Sequence, residues 1–162
     1  MSITDRTTLI RKLGTACHVE VQALNLLRGL AADRLLSSEI RDRAELHATE
    51  TQAQLRCLSS CLTTFGGPAT PWADVASRMI APTVSPAAWQ ALEQREIRMY
   101  QQLIACDTLA DDQRFLNDCL SALDVQRSVL RWLDGICVRP ARIAAPRTVV
   151  ASADTAGANA LA

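Results

Sequence analysis

Four long segments of the chain repeat apolar residues at the spacing of an α-helix, and this pattern restricts the fold more than any other feature of the sequence. The segments cover residues 4–32, about 38–65, 86 to about 106 and 109 to about 135. Leucine and alanine dominate their apolar positions, and aromatic residues make up only 4% of the chain, which suits closely packed helices. The sequence therefore predicts an all-α domain.

Residues that favour the start or the end of a helix lie at the ends of these segments. Ser85 is a suitable N-cap, and Pro86 follows it at the first helical position, where a missing N–H costs nothing. Thr108 and Asp111 form a pair that resembles a capping box at the start of the fourth segment. The Gly-Gly-Pro run at 66–68 is expected to stop the second segment.

Two short connections and one long one join the predicted helices. The short connections predict two antiparallel hairpins, one from the first two helices and one from the last two. The long connection covers residues 66–85 and contains the amphipathic piece WADVASRMI. We predict an antiparallel four-helix bundle over residues 1–138, with a long crossover between helices two and three. Residues 139–162 lack helical periodicity and predict a flexible tail.

Charge and composition restrict the partners and the compartment. Lys plus Arg and Asp plus Glu both number 17, so no net field attracts nucleic acid or an anionic membrane. No segment approaches the roughly 20 apolar residues of a membrane span, and the N-terminus lacks the apolar core of a signal peptide. The scattered cysteines indicate reduced thiols. These features predict a cytoplasmic protein that binds neither nucleic acid nor membrane.

Two surface features complete this picture. The arginines at 41, 43, 95 and 98 alternate with acids and are interpreted as a solvated face. Trp72 and Met79 are expected to be exposed, and together with the long crossover they predict a homodimer. No phosphate loop or nucleophile elbow is present, and an enzymatic activity is not predicted.

Three of the predicted helices direct polar side chains towards the buried side of the bundle. Glu20 and Glu96 lie on the apolar stripes of the first and third helices. His47 points within roughly 20° of the centre of the apolar face of the second helix. Glu50 and Glu93 lie nearer the edges of their faces. Since an unpaired buried charge costs several kcal/mol, these groups require a bound metal, protonation, an inward arginine or water.

The stretch AELHATETQAQLRCLSSCLTTFGGPAT resembles the second helix of the YciF-like branch of the ferritin-like superfamily, and EQREIRMY is similar to that branch's third helix. The resemblance covers about residues 9–133. It implies a ferritin-like four-helix bundle that holds iron or another divalent metal between its helices, with a role in metal handling or stress. The positions that match ligand-type or neighbouring polar positions are Glu20, His47, Glu50, Glu93 and Glu96.

The fourth helix departs from the pattern of that family. It places Ala122, Leu123 and Gln126 on or near the inward face, and it turns Asp124 away from that face. A complete two-metal carboxylate site takes ligands from all four helices. The sequence therefore predicts one metal at most, or a metal-free pocket whose glutamates are satisfied by Arg127, Gln126 and water.

Three hypotheses follow for the function. The first is a metal-binding bundle with an inward cluster of carboxylates and a histidine, and the second is a metal-free interaction or oligomerisation module. The third is a thiolate site at Cys57 and Cys61, whose spacing could bind Cu(I) or Zn(II). Packing as small hydrophobes is the simpler interpretation of these two cysteines.

Overall fold

The computed structural model describes residues 3–70, 84–109 and 112–137, and these form helices without any strand. The all-α prediction is confirmed. A short 3-10 turn, Asp107–Leu109, precedes the last helix. The helices are α1 (Ile3–Ala32), α2 (Ser38–Thr64), α3 (Pro86–Ile104) and α4 (Gln113–Cys137).

Some of the predicted features lie outside the described residues. They are the tail at 139–162, the piece WADVASRMI, and with it Trp72 and Met79. Among the helices that the structure does describe, none combines the length and the apolar character needed to cross a bilayer.

Serine side chains cap the starts of α2 and α3, and the cap of α3 is the predicted one. The Ser37 hydroxyl accepts a hydrogen bond from the backbone N–H of Ile40 at 3.4 Å, and the Ser85 hydroxyl accepts one from the N–H of Ala88 at 3.1 Å. Each bond satisfies one of the N–H groups that a helix start leaves unpaired. After α2 the chain turns at Gly66, whose φ of 81° favours glycine.

The start of α4 differs from the prediction. The chain forms the 3-10 turn at the position of Thr108, and the helix is capped by Asp112, whose carboxylate accepts a hydrogen bond from the N–H of Phe115 at 3.0 Å. Leu109 is fully buried, and the turn contacts both α1 and α4. Burial of this side chain in the core holds the turn and delays the helix, a tertiary effect that capping chemistry does not include.

Two apolar clusters fill the two ends of the bundle. The first joins the start of α1, the end of α2, the end of α3 and the start of α4, and its members include Leu9, Leu13, Leu58, Leu62, Leu103 and Phe115. The second joins the opposite ends of the same helices, and its members include Leu27, Leu30, Ala44, Trp89 and Leu133. It follows that α2 and α3 run in the same direction. The connection between them therefore joins opposite ends of the bundle, as the long crossover predicts.

Each helix packs against two neighbours. α1 packs most extensively on α2, and α3 on α4, which confirms the two predicted hairpins. The bundle closes through contacts of α1 with α3 and of α2 with α4, so that α2 and α3 lie on a diagonal. Between the two apolar clusters lies a set of buried polar side chains, which we call the polar layer. Its members are Glu20, His47, Thr51, Glu93, Glu96 and Gln126.

Candidate metal centre

His47 lies in the polar layer between two carboxylates. Its Nδ1 is 2.7 Å from Glu50 Oε2, and its Nε2 is 2.9 Å from Glu93 Oε1. Burial is the largest influence on the imidazole and lowers its pKa, but the hydrogen bonds and charges of both carboxylates outweigh it and raise the pKa to about 9. Without a metal, the ring therefore donates both of its N–H groups as an imidazolium. The hydrogen bond to His47, helped by Arg43 at 3.8 Å, lowers the pKa of Glu50.

Trp89 fixes the orientation of Glu93. Its indole Nε1 donates to Glu93 Oε1 at 2.6 Å, and its ring stacks on His47 with centroids 6.0 Å apart. Glu93 Oε1 therefore accepts from two rings, whereas Glu93 Oε2 is buried without a protein partner. The second oxygen remains available to a ligand inside the layer.

Glu20 of α1 is held by Tyr100 of the neighbouring helix α3. The phenol of Tyr100 donates to Glu20 Oε1 at 2.5 Å, and Glu20 Oε2 is buried without a partner. Burial raises the pKa of Glu20 to about 8, although the hydrogen bond from Tyr100 and the charge of His47 lower it in part. At neutral pH this carboxyl holds a proton in the metal-free protein.

Glu96 is the least satisfied member of the layer. It is fully buried, and neither of its carboxyl oxygens has a hydrogen-bond partner within the described part of the chain. Burial raises its pKa well above the ordinary value, the charges of Glu20 and Glu93 raise it further, and Arg95 opposes them only in part. A buried carboxyl without a donor costs free energy unless it is protonated or bound to a cation.

Three donor groups converge within the layer. Among the described residues, His47, Glu93 and Glu96 each offer one ligand atom, and these three atoms lie within 4.8 Å of one another. These separations are close to those of ligands on one ion, which lie at most about 4.4 Å apart when the bonds are about 2.0–2.2 Å long. Four buried carboxylate oxygens without partners, from Glu20, Glu93 and Glu96, surround the same region. The residues present therefore fit a divalent cation.

The predicted site residues lie at three kinds of position: within the convergent group, beside it, or outside it. His47, Glu93 and Glu96 form the convergent group, and Glu20 lies beside it, close enough to raise the pKa of Glu96. Glu50 bonds the far nitrogen of His47 and has 31% of its side chain exposed, so it orients the imidazole from outside the group. The expectation that Glu93 lies near the edge of its face is wrong, because Glu93 is 1% exposed.

The helical wheels did not single out two side chains that bond the acids of the layer, Trp89 and Tyr100. Trp89 precedes Glu93 by one turn of α3 and Tyr100 follows Glu96 by one turn, so both lie on the same face as the acids. A wheel centred on this aromatic and acidic stripe would have found them and placed Glu93 at the centre of the buried face. A wheel centred on the leucines alone placed Glu93 nearer the edge of the buried face.

α4 contributes no carboxylate to the layer. Ala122, Leu123 and Gln126 are buried and Asp124 is exposed, which confirms the predicted departure in this helix. Gln126 donates to Gln54 at 3.3 Å, and its own oxygen is without a partner. The expectation that Arg127 satisfies the buried glutamates is wrong: this guanidinium lies 3.7 Å from the exposed carboxylate of Asp124.

A cleft of about 300 Å³ lies between α2 and α4. Glu50, Gln54 and Tyr100 line it, and each is bonded to a member of the polar layer. An ion or a small molecule in this cleft would therefore contact side chains that are bonded to the layer.

The cysteines of α2 do not converge as metal ligands. Cys57 donates to Asp118 Oδ2 at 3.2 Å, and Cys61 is buried in the first apolar cluster. Burial, with nearby negative charge, raises the pKa of each thiol to about 12. Among the described residues, the group that could hold a metal contains no thiol. These positions support packing as the role of both residues.

Comparisons with known proteins agree with this fold. The family model described as "Domain of unknown function (DUF892)" matches residues 4–85, which include α1 and α2. The chain is also similar to a protein from Xanthomonas campestris pv. campestris str. ATCC 33913, whose crystal structure is known. The two share 25% sequence identity and a TM-score of 0.66, over 83% of this chain and 94% of that one. No curated protein matches the chain.

Proposed function

The chain belongs to the DUF892 family, a domain of unknown function, and we propose from its polar layer that it is a ferritin-like bundle that binds one divalent metal ion, iron or a similar metal. His47, Glu93 and Glu96 are the proposed ligands, and Glu20 is the fourth donor. The observation that carries this proposal is the set of buried carboxylate oxygens without partners beside a buried imidazole.

The charge of the layer supports a cation. Three buried carboxyl groups, Glu20, Glu93 and Glu96, face one imidazole, and in the metal-free protein burial raises the pKa of Glu20 and of Glu96 so that both hold protons. A divalent ion would displace these protons and replace the hydrogen bond between His47 and Glu93. Carboxylate oxygen with imidazole nitrogen suits iron, manganese or zinc better than a soft ion.

The ligand count supports one ion. A two-metal site of the four-helix type takes a glutamate from two helices and a Glu-x-x-His motif from each of the other two. Here α4 offers the amide of Gln126 and no carboxylate, whereas α1, α2 and α3 offer the donors. The chemistry derived from this set is reversible binding of the ion, with Glu50 and Tyr100 as positioning residues. A role in metal handling or stress and assembly as a homodimer stay predictions.

The test is the metal content of the full chain purified without chelator and then incubated with Fe(II), Mn(II) or Zn(II). We expect about one ion per chain in the wild type. The double variant Glu20→Gln and Glu96→Gln keeps the side-chain volumes but removes two anionic donors, so it should lose the ion. A matched control, Glu39→Gln with Glu45→Gln on the exposed face of α2, should retain it. Absence of metal from the wild type under all three conditions contradicts the proposal.

One observation favours a second candidate, the metal-free interaction or oligomerisation module. Protonated Glu20 and Glu96, with the imidazolium of His47 between two carboxylates, leave little uncompensated charge in the layer. In that case the double variant carries as little metal as the wild type, and its free energy of unfolding is equal or higher because buried acids are removed.

A further inference from the structure

A groove of about 490 Å³ between α1 and α3 is lined by four basic side chains. Arg11 and Lys12 come from α1, and Arg95 and Arg98 come from α3. Among the residues that the structure describes, no acidic side chain lines the groove. It lies on the face of the bundle opposite the cleft between α2 and α4, and the two have no lining residue in common.

The charge of this face does not follow from the composition of the chain. α1 and α3 contain four acids, and three of them, Glu20, Glu93 and Glu96, are buried in the polar layer. The fourth, Asp5, is exposed at the start of α1. The acids that balance the net charge of zero therefore lie mostly on other parts of the chain. The α1–α3 face is basic although the whole chain is neutral.

The four cations lack ionic partners within the described part of the chain. None of them lies within 4.0 Å of a carboxylate oxygen there, and Arg95 donates to the uncharged amide of Gln22 at 2.7 Å. Arg95 and Arg98 are exposed, as the interpretation of a solvated face predicts, but the acids beside them in sequence, Glu93 and Glu96, point inward. Four like charges around one groove repel one another until an anion neutralises them.

The walls and the floor of the groove suit a compact anion. Val19, Met99 and Leu103 form a buried apolar floor, which lowers the local dielectric constant and strengthens charge interactions above it. Guanidinium groups bind phosphate oxygens in pairs through parallel N–H bonds, and lysine adds a point charge. The volume lies within the range of small-molecule sites, roughly 300–1,000 Å³.

We propose that this groove binds a multiply charged phosphate group, held between the basic side chains of α1 and α3. The groove and the proposed metal centre are built from different side chains. The same chemistry is presented by a soluble polyphosphate or phosphate ester and by the headgroup of an anionic phospholipid, and the experiment separates these two carriers.

The test measures binding of inorganic pyrophosphate to the full chain by titration calorimetry at low ionic strength. The variant Arg11→Gln with Arg98→Gln removes one cation from each wall, and we expect an affinity about tenfold lower, roughly threefold for each exposed charge. The control Arg28→Gln with Arg34→Gln removes the same charge from exposed positions outside the groove and should bind like the wild type. Arg11→Lys with Arg98→Lys keeps the charge and should retain most of the affinity. Thermal unfolding verifies that each variant is folded.

A second arm uses vesicles of phosphatidylcholine with and without phosphatidylglycerol. A lipid is identified as the carrier if the wild type binds the anionic vesicles and the Arg11 and Arg98 double variant does not. Pyrophosphate binding without vesicle binding identifies a soluble carrier, and in either case the groove is the site. Equal affinities of the wild type, the double variant and the control overturn the proposal, as does the absence of binding to both pyrophosphate and anionic vesicles.

Discussion

Glu93 Oε1 accepts hydrogen bonds from Trp89 at 2.6 Å and from His47 at 2.9 Å, so one oxygen of α3 fixes an indole of its own helix and an imidazole of α2. α2 and α3 lie on a diagonal of the bundle, and this bond therefore passes through the middle of the core. The same contact orders the polar layer and holds the His47 imidazole beside the carboxylates of Glu93 and Glu96.

Removal of the Glu93 carboxylate should destabilise the metal-free protein strongly. Glu93→Ala leaves the N–H groups of Trp89 and His47 buried without an acceptor, and we expect a loss of about 3–5 kcal/mol in the free energy of unfolding. Urea unfolding followed by tryptophan fluorescence measures it. Gln94→Ala, an exposed neighbour on the same helix, is the control. A loss below about 1 kcal/mol for Glu93→Ala would contradict the role assigned to this bond.

The stability of the metal-free protein should fall as pH rises from about 5 to 9. The pKa values of Glu20, raised from 4.5 to about 8, and of His47, raised from 6.5 to about 9, mean that the folded state holds protons that the unfolded state releases. Their stabilisation is complete below the unfolded values and is lost as pH rises through the folded values. The slope is about 1.4 kcal/mol per pH unit for each proton. Urea unfolding at several pH values measures this slope, and Glu20→Gln should reduce it. A free energy of unfolding that rises with pH would contradict the raised pKa values of Glu20 and His47.

A bound ion should reverse this trend. The ion needs a deprotonated carboxylate at Glu96 and a neutral nitrogen at His47, so its stabilisation should increase with pH. At a free-metal concentration of 100 times the Kd, the free energy of unfolding should rise by about 2.7 kcal/mol. Thermal unfolding with and without Mn(II) at pH 6 and pH 8 measures the effect. Glu96→Gln should abolish it, and a metal-dependent shift of equal size in that variant would argue against the proposed ligands.

Glu50 should affect metal affinity more than stability. Its carboxylate bonds His47 Nδ1, the nitrogen that faces away from the convergent group, and so fixes the orientation of the ring. Glu50→Gln should weaken metal binding about 10–100-fold, as loss of such outer partners does in other metal sites. Equilibrium dialysis against a metal indicator measures the affinity, with Glu45→Gln as the exposed control. Unchanged affinity would mean that the imidazole does not depend on Glu50.

The cysteines of α2 should have no part in metal binding. Cys57 and Cys61 have pKa values raised to about 12, so their thiols stay protonated at neutral pH, and neither belongs to the convergent donor group. Cys57→Ser with Cys61→Ser should leave the metal content unchanged in elemental analysis. Loss of the ion from this variant, with retention in Glu20→Gln and Glu96→Gln, would revive the thiolate hypothesis.

The sequence alone determined the four helices through their periodicity, the cap at Ser85, and the inward bearing of Glu20, His47 and Glu96. These features are local, because bearing on a helix depends only on spacing and caps depend on a few adjacent residues. The same reasoning also identified the missing carboxylate of the fourth helix.

Only the tertiary structure decided which groups meet. The pairing of His47 with Glu93 and of Tyr100 with Glu20, and the basic groove between α1 and α3, depend on which helices are neighbours and how each is rotated about its axis. The spacing of apolar residues within one helix determines neither which helices are its neighbours nor its rotation about its axis. They follow from packing of the two apolar clusters, which holds the buried acids of α1 and α3 together and leaves the cations of the same helices together on the surface.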